Sequence, residues 1–316
     1  MLDQITHLFR LRTILEEGSL RRASEKLNLT QPALSRSLAQ LEAHFGQQLV
    51  ERHARGVVAT AFGERVLAVS TRIERYWDIA EHELTAGTTE NKMRMRIGAG
   101  PLWRSGILSP VFVEMQRRFP WLIFELVPLT YGGTITDLRE GRLDVAFSGV
   151  MGGVAGEISD DRLVRHKLTE ITNEVMVREG HPIFGNVDRY GTIRPAALLD
   201  YPWIVYSEWP IYGEITQHMI YERLGKDADV RMLCQNLLTT LTMLQQSDNL
   251  CLLPEFAVIS AQAPRIVPLP VTVHPRRADV GIVHREELSQ WEPIQTLVEL
   301  SHNVFTAKGL ETAGAA

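Results

Sequence analysis

Residues 19–45 read SLRRASEKLNLTQPALSRSLAQLEAHF, and their periodicity decides the architecture. Leu20, Ala23 and Leu27 recur at spacings of three and four, and so do Leu34, Leu38, Leu41 and Phe45. Each set predicts one apolar helical face. Asn28-Leu29-Thr30 joins the two helices, with Thr30 as N-cap of the second and Pro32 in its first turn, where the missing N–H is harmless. Ser19 caps the first helix. The outer face of the second carries Gln31, Ser35, Arg36 and Gln40, donors and acceptors of the kind that read base edges and phosphates. The pattern predicts a helix-turn-helix.

Residues 3–17 predict a preceding helix with a broad apolar stripe, stopped at Gly18. After Phe45, Leu49, Val57 and Val58 suggest two short strands around His53-Ala54-Arg55-Gly56. This wing is expected to bring Arg52 and Arg55 to the phosphate backbone or minor groove. Phe62, Val66, Val69, Ile73, Tyr76 and Ala80 then repeat with a period of 3.5. That period predicts a helix pairing along a seam with a second copy, as a two-fold reader of half-sites requires. A helix packed on its own domain is the alternative. A polar linker, 86–92, follows.

From Met93 the pattern alternates strand and helix: MRMRIGAG, SGILSPVFVEMQRRF, LIFELVPL, GGTITDLREG and LDVAFSG. The order predicts a parallel, doubly wound α/β lobe with ligands at the strand carboxyl ends. The expected effector contacts are Gly100, Pro101, Leu102, Trp103 and Arg104, then Thr130 and Tyr131, then Ser148 and Gly149. A second lobe follows through YPWIVYSEWP, DVRML, LLTTLTMLQQ and NLCLLP, adding Tyr206, Trp209 and Asn236 to that group. ADVGIVHRE reads as a strand returning to the first lobe, before a terminal amphipathic helix. The expected boundaries are 1–61 for the winged domain and 62–92 for the dimerising helix and hinge. Lobe I comprises 93–170 with 275–303, lobe II comprises 171–274, and 304–316 form a disordered tail.

Bulk properties narrow the function classes. The chain has 316 residues and a net charge of −5, but residues 1–65 carry nine basic against seven acidic residues, leaving −7 for the rest. That asymmetry suits a DNA-facing N-terminus on an acidic body. No apolar run of membrane-spanning length and no secretory signal pattern occurs, so a cytoplasmic protein without membrane association is expected. Two cysteines, Cys234 and Cys251, are expected to be buried and reduced, with redox sensing by the pair as an alternative. No GxSxG, HExxH, GxxxxGK[ST] or GxGxxG occurs, and His166, His181 and His218 lack ligand spacing, so neither catalysis nor a metal is expected. His181, before Pro182, reads as a turn residue.

These features resemble the LysR-type transcriptional regulators over about residues 2–303. The resemblance is strongest through Thr30-Gln31-Pro32-Ala33-Leu34-Ser35-Arg36, Leu41-Glu42, Leu49, Glu51-Arg52 and Thr60-Ala61-Phe62-Gly63. LREGRLDVAF, GHP, YPWI and the strand ending Leu253-Pro254 extend it into the body. It implies a winged helix-turn-helix, a long linker helix and a bilobal, periplasmic-binding-protein-like effector domain. It also implies an operator-binding homotetramer, a dimer of dimers, with RNA polymerase as a further candidate partner. In that family the residues matching Gln31, Pro32, Ser35 and Arg36 approach the major groove. Ser19, Arg22, Thr30, Gln40, Arg52 and Arg55 complete the expected DNA-binding set. Where the family often has Ser or Thr after the first effector-domain strand, this chain has Gly100-Pro101-Leu102-Trp103-Arg104. Where the family favours glycines before the Leu-Pro strand, it has Ser247-Asp248-Asn249. Trp103, Tyr131, Trp203, Tyr206, Trp209 and Tyr212 make the expected cleft aromatic, and Arg104 suits an anion. An aromatic or sugar-derived acid is the expected effector. The architectural alternative is a DNA binder with no effector.

Overall fold

The computed structural model describes residues 2–53, 56–85, 92–100, 103, 104, 106–129, 133–151, 162–206, 221, 225–258, 263–271 and 277–307. Helix α1 spans Leu2–Glu17, α2 Leu20–Lys26 and α3 Gln31–Phe45. The boundaries follow local chemistry. Ser19 Oγ accepts from the Arg22 amide at 3.5 Å, and Thr30 Oγ1 accepts from the Ala33 amide at 3.3 Å. Each cap satisfies an amide that the first helical turn leaves unpaired. Leu11, Ile14, Leu34, Leu38 and Leu41 meet in one core at 2% exposure or less.

Strands β1 (Val50–His53) and β2 (Gly56–Ala59) pair antiparallel as the wing, and the Val57 amide donates to the Gly18 carbonyl at 2.9 Å. This bond ties the wing to the α1–α2 turn. Helix α4 runs from Ala61 to Thr85. Thr60 Oγ1 donates to the Gln48 carbonyl at 2.8 Å and accepts from the Gly63 amide at 2.9 Å, capping α4 against the start of the wing. A Cβ on Gly63 would lie 1.9 Å from the Leu49 carbonyl oxygen, so only glycine permits this approach.

The compact units are Met1–Met93 with Ile135–Leu143, and Arg94–Thr134 with Asp144–Ala316. The second is built on a mixed sheet of nine strands among the described residues. These are β3 (Met93–Ala99), β4 (Leu122–Pro128), β5 (Val145–Met151), β6 (Leu163–Arg178), β7 (Trp203–Tyr206), β8 (Val230–Cys234), β9 (Leu250–Pro254), β10 (Ile266–Pro268) and β11 (Arg277–Arg285). The order is β4-β3-β5-β11-β6-β9-β7-β8, with β10 also on β6. Helices α5 (Ser109–Arg118), α6 (Thr134–Arg139), α7 (Leu237–Gln246) and α8 (Glu292–Ala307) complete the described set.

The expected parallel pairs are present as β3–β5, β7–β8 and β7–β9. The lobes are not purely parallel, however. β11 runs antiparallel to both β5 and β6, and β6 runs antiparallel to β9 and β10. The long strand β6 joins the lobes: residues 163–172 pair with β11 and 173–176 with β9. The β11–β6 register shifts between Val280 and Gly281, where a Cβ on Gly281 would lie 1.9 Å from the His166 carbonyl oxygen. A buried ion pair, Arg285–Asp144 at 3.8 Å, links the end of β11 to the residue before β5.

Candidate DNA interface and effector site

The outer face of α3 is built by default. With Leu34, Leu38 and Leu41 inward, the 3.6-residue repeat turns Gln31, Pro32, Arg36 and Gln40 to solvent and leaves Ser35 half-buried. Thr30 is exposed as its cap, and Arg52 is exposed on β1. Among the described residues Arg36 and Arg52 meet no carboxylate. Ser19 is half-buried in its capping role. Arg22 is exposed, with its guanidinium donating to the Glu17 carbonyl at the end of α1. One polar contact has no counterpart among the sequence expectations. Ser37, on α3, is 2% exposed, and its hydroxyl meets His7 Nδ1 at 2.6 Å. Arg55 lies outside the described residues.

The seam on α4 divides. Val66 is buried in the winged-helix core and Phe62 and Ile73 pack against it, because the first turns of α4 cover α1 and the wing. Those three positions therefore serve their own unit rather than a partner. Ala80 is half-buried. The exposed large apolar residues of α4 are Val69, Tyr76, Trp77 and Leu84. Spacings of seven from 69 to 76 and from 77 to 84 were the available signal for Trp77 and Leu84.

In the effector unit the expected contacts separate more sharply. β3 and β5 are parallel neighbours with Ala99 opposite Phe147, and the Gly100 amide donates to the Phe147 carbonyl at 3.3 Å. Gly100, just past the end of β3, thus lies beside Ser148 and Gly149 within β5. Arg104 joins them, its Nε donating to the Ala99 carbonyl at 3.2 Å. Trp103 does not line a cleft. It is 4% exposed, with its ring 5.3 Å from Phe147 and 5.7 Å from Phe305. A large apolar ring beside two others gains more from burial than from a wet strand end. Trp203 is likewise core, with Nε1 donating to the Leu198 carbonyl at 3.2 Å. Asn236 is the N-cap of α7, its Oδ1 accepting from the Thr239 amide at 3.0 Å, so its side chain is spent on the helix. Tyr206 is half-buried at the end of β7. Pro101, Leu102, Thr130, Tyr131, Trp209 and Tyr212 lie outside the described residues, as does His218.

Three histidines are held neutral. His181 caps the short helix Pro182–Asn186, its Nδ1 accepting from the Ile183 amide at 3.0 Å, as a turn residue would. Burial pushes its pKa down. His166 and His284 stack with their Nε2 atoms 3.0 Å apart, and His284 Nδ1 faces the Arg285 carbonyl at 2.8 Å. A carbonyl can only accept, so His284 carries its proton on Nδ1, and its Nε2 accepts from His166. Burial lowers both pKa values, helped for His166 by the neighbouring His284 and His302. No group of three or more His, Cys, Asp or Glu among the described residues is arranged to hold a metal.

The cysteines are free and buried. Cys251 is opposite Ile204 and Cys234 is opposite Tyr206, so β7 lies between them. Two strand spacings amount to about 9.5 Å, beyond the ~7 Å Cα separation that a disulfide tolerates. Burial also pushes the Cys251 thiol up to about 12, leaving no thiolate to react.

Comparisons with known proteins agree with this architecture. Residues 5–64 match the family described as bacterial regulatory helix-turn-helix protein, lysR family, and residues 88–306 match the LysR substrate binding domain. The uncharacterized HTH-type transcriptional regulator YdcI of Escherichia coli (strain K12) is 25% identical over 289 residues, 89% of either chain. Among solved structures, ArgP from Mycobacterium tuberculosis has a TM-score of 0.71 at 17% identity, covering 98% of both chains. A full-length OxyR variant from Pseudomonas aeruginosa has a TM-score of 0.69 at 18% identity, covering 99% of this chain and 98% of that one. No described helix is long and apolar enough to cross a membrane. With a DNA-binding helix-turn-helix at one end and a substrate-binding-type effector domain at the other, the chain belongs to the LysR family of transcriptional regulators.

Proposed function

We propose that this regulator is a sequence-specific switch in which a small ligand bound between the effector lobes changes how paired winged helices engage an operator. The observation that carries it is the exposed face of α3, where Gln31, Arg36 and Gln40 project from a capped helix and Arg36 meets no carboxylate among the described residues. Gln31, Pro32, Ser35, Arg36 and Gln40 enter the major groove, and Arg52 approaches the backbone. Val69, Tyr76, Trp77 and Leu84 form the contact between two copies, and a dimer of dimers spans two sites. The ligand lies at the end of β3 and the neighbouring part of β5, where Gly100, Ser148, Gly149 and Arg104 converge. With Trp103 and Trp203 in the core, Arg104 is the remaining support for an acidic ligand. It can shift the switch only by binding one lobe arrangement more tightly than the other. The cysteine geometry argues against redox control.

Selection from random duplexes would yield the operator. On it, Arg36→Ala is expected to weaken binding by about 1–3 kcal/mol and to relax the base preference at one position. Unchanged affinity and preference would refute the placement of α3. Titrating small carboxylic acids into the same assay tests the switch: some acid should shift operator affinity, and no response to any of them would favour an effector-independent DNA binder.

A further inference from the structure

The cations of the winged helix fall into two sets. Arg12 pairs with Glu16 at 2.7 Å and with Glu74, Arg21 with Glu25 at 3.8 Å, and Lys26 with Glu17 at 2.9 Å. Arg22 is spent on the Glu17 carbonyl, and Arg65 lies over the Phe62 ring at 5.6 Å. Arg36 and Arg52 meet no carboxylate among the described residues, as expected of groups whose counter-charge is nucleic acid. Arg10 shares that property, yet it lies on α1. It is half-buried, and its Nη1 donates to Ser37 Oγ at 3.4 Å.

Ser37 explains why that position matters. It belongs to α3, next to Arg36 and one turn before Gln40, so it shares an edge of the recognition helix with Gln40. Its hydroxyl can accept from Arg10 while donating to His7 Nδ1. Among the described residues this half-buried guanidinium has one long hydrogen bond and no acid, so its desolvation is uncompensated there. Counting the described residues, four of its five N–H donors remain for an outside acceptor.

We propose that Arg10 contacts a DNA phosphate, extending the interface from α3 onto α1, and that Ser37 is the positioning residue that holds it beside the recognition helix. This rests on the reading that α3 faces DNA. Phosphate contacts are independent of sequence, and each adds about 0.9 to the slope of log affinity against log salt concentration. The test is fluorescence anisotropy of the full-length protein on a mixed-sequence duplex across a salt series. Arg10→Gln, which keeps a donor for Ser37 but loses the charge, should lower the slope by about 0.9 per protomer. Arg10→Lys should restore most of it. Ser37→Ala should give an intermediate slope, and Ser37→Ala added to Arg10→Gln should lower it no further. An Arg10→Gln slope equal to that of the unmodified chain, even with weaker binding, would overturn the proposal, because a residue that merely braces α3 moves affinity without moving the slope. A salt-independent unmodified chain would instead overturn the reading that α3 faces DNA.

Discussion

Trp77 on α4 and Trp103 after β3 are the same side chain under opposite regimes. Trp77 is 55% exposed on a helix whose other side is already covered, whereas Trp103 is 4% exposed between Phe147 and Phe305. The contrast extends to the two units. In the winged helix, the polar residues expected to meet DNA stand mostly outside a closed core, and the helix repeat alone puts them there. In the effector unit, residues at strand ends are claimed by packing and capping before any ligand arrives. A functional face therefore survives folding most readily where one regular element separates its inward and outward sides.

Substitutions put that contrast between the two units to the test. The largest effect is expected for Trp103→Ala, which should cost about 3–5 kcal/mol by opening a cavity between two aromatic rings. Chemical denaturation of the full chain measures this, and a loss under 1 kcal/mol would return Trp103 to the ligand site. Trp77→Ala should leave the stability of the isolated protomer nearly unchanged yet weaken self-association by about 2 kcal/mol, as an aromatic anchor does. Sedimentation equilibrium decides it: an unaltered dissociation constant would move the dimer contact off α4.

Caps come next. Thr30→Ala and Asn236→Ala should each cost about 1 kcal/mol, and Thr30→Ser and Asn236→Ser should restore most of it. If Asn236→Ser instead abolished a ligand response at full stability, Asn236 would be a ligand contact as well as a cap. The smallest effect expected is on pH dependence. His166, His181 and His284 have folded pKa values below their ordinary 6.5, so the unfolded chain binds more protons below that value. Their contribution is fully present above about pH 6.5 and is lost as pH falls through the folded values. Thermal midpoints should therefore fall between about pH 7 and about pH 5, before carboxylates titrate. Replacing His181 by Gln should flatten part of that fall.

The N-terminal architecture was legible because its determinants are local. Ser19 and Thr30 cap, Gly18 and Gly46 end helices, and apolar spacing chooses the buried face. The element order of the effector unit was also readable, including β11 as the returning strand. Three matters were decided only in three dimensions. Heptad spacing on α4 could not reveal that Phe62, Val66 and Ile73 face their own unit, since one helical stripe serves either partner equally well. The character of Trp103 and Asn236 depended on Phe305, some two hundred residues away in sequence, and on a helix start that competes for the same oxygen. Finally, the pairing of Arg10 with Ser37 joins residues 27 positions apart, and no periodicity encodes it. Periodicity and capping are properties of neighbours along the chain and are written in it directly. Which strand ends, rings and charges meet depends on how distant segments pack, and only the folded chain settles that.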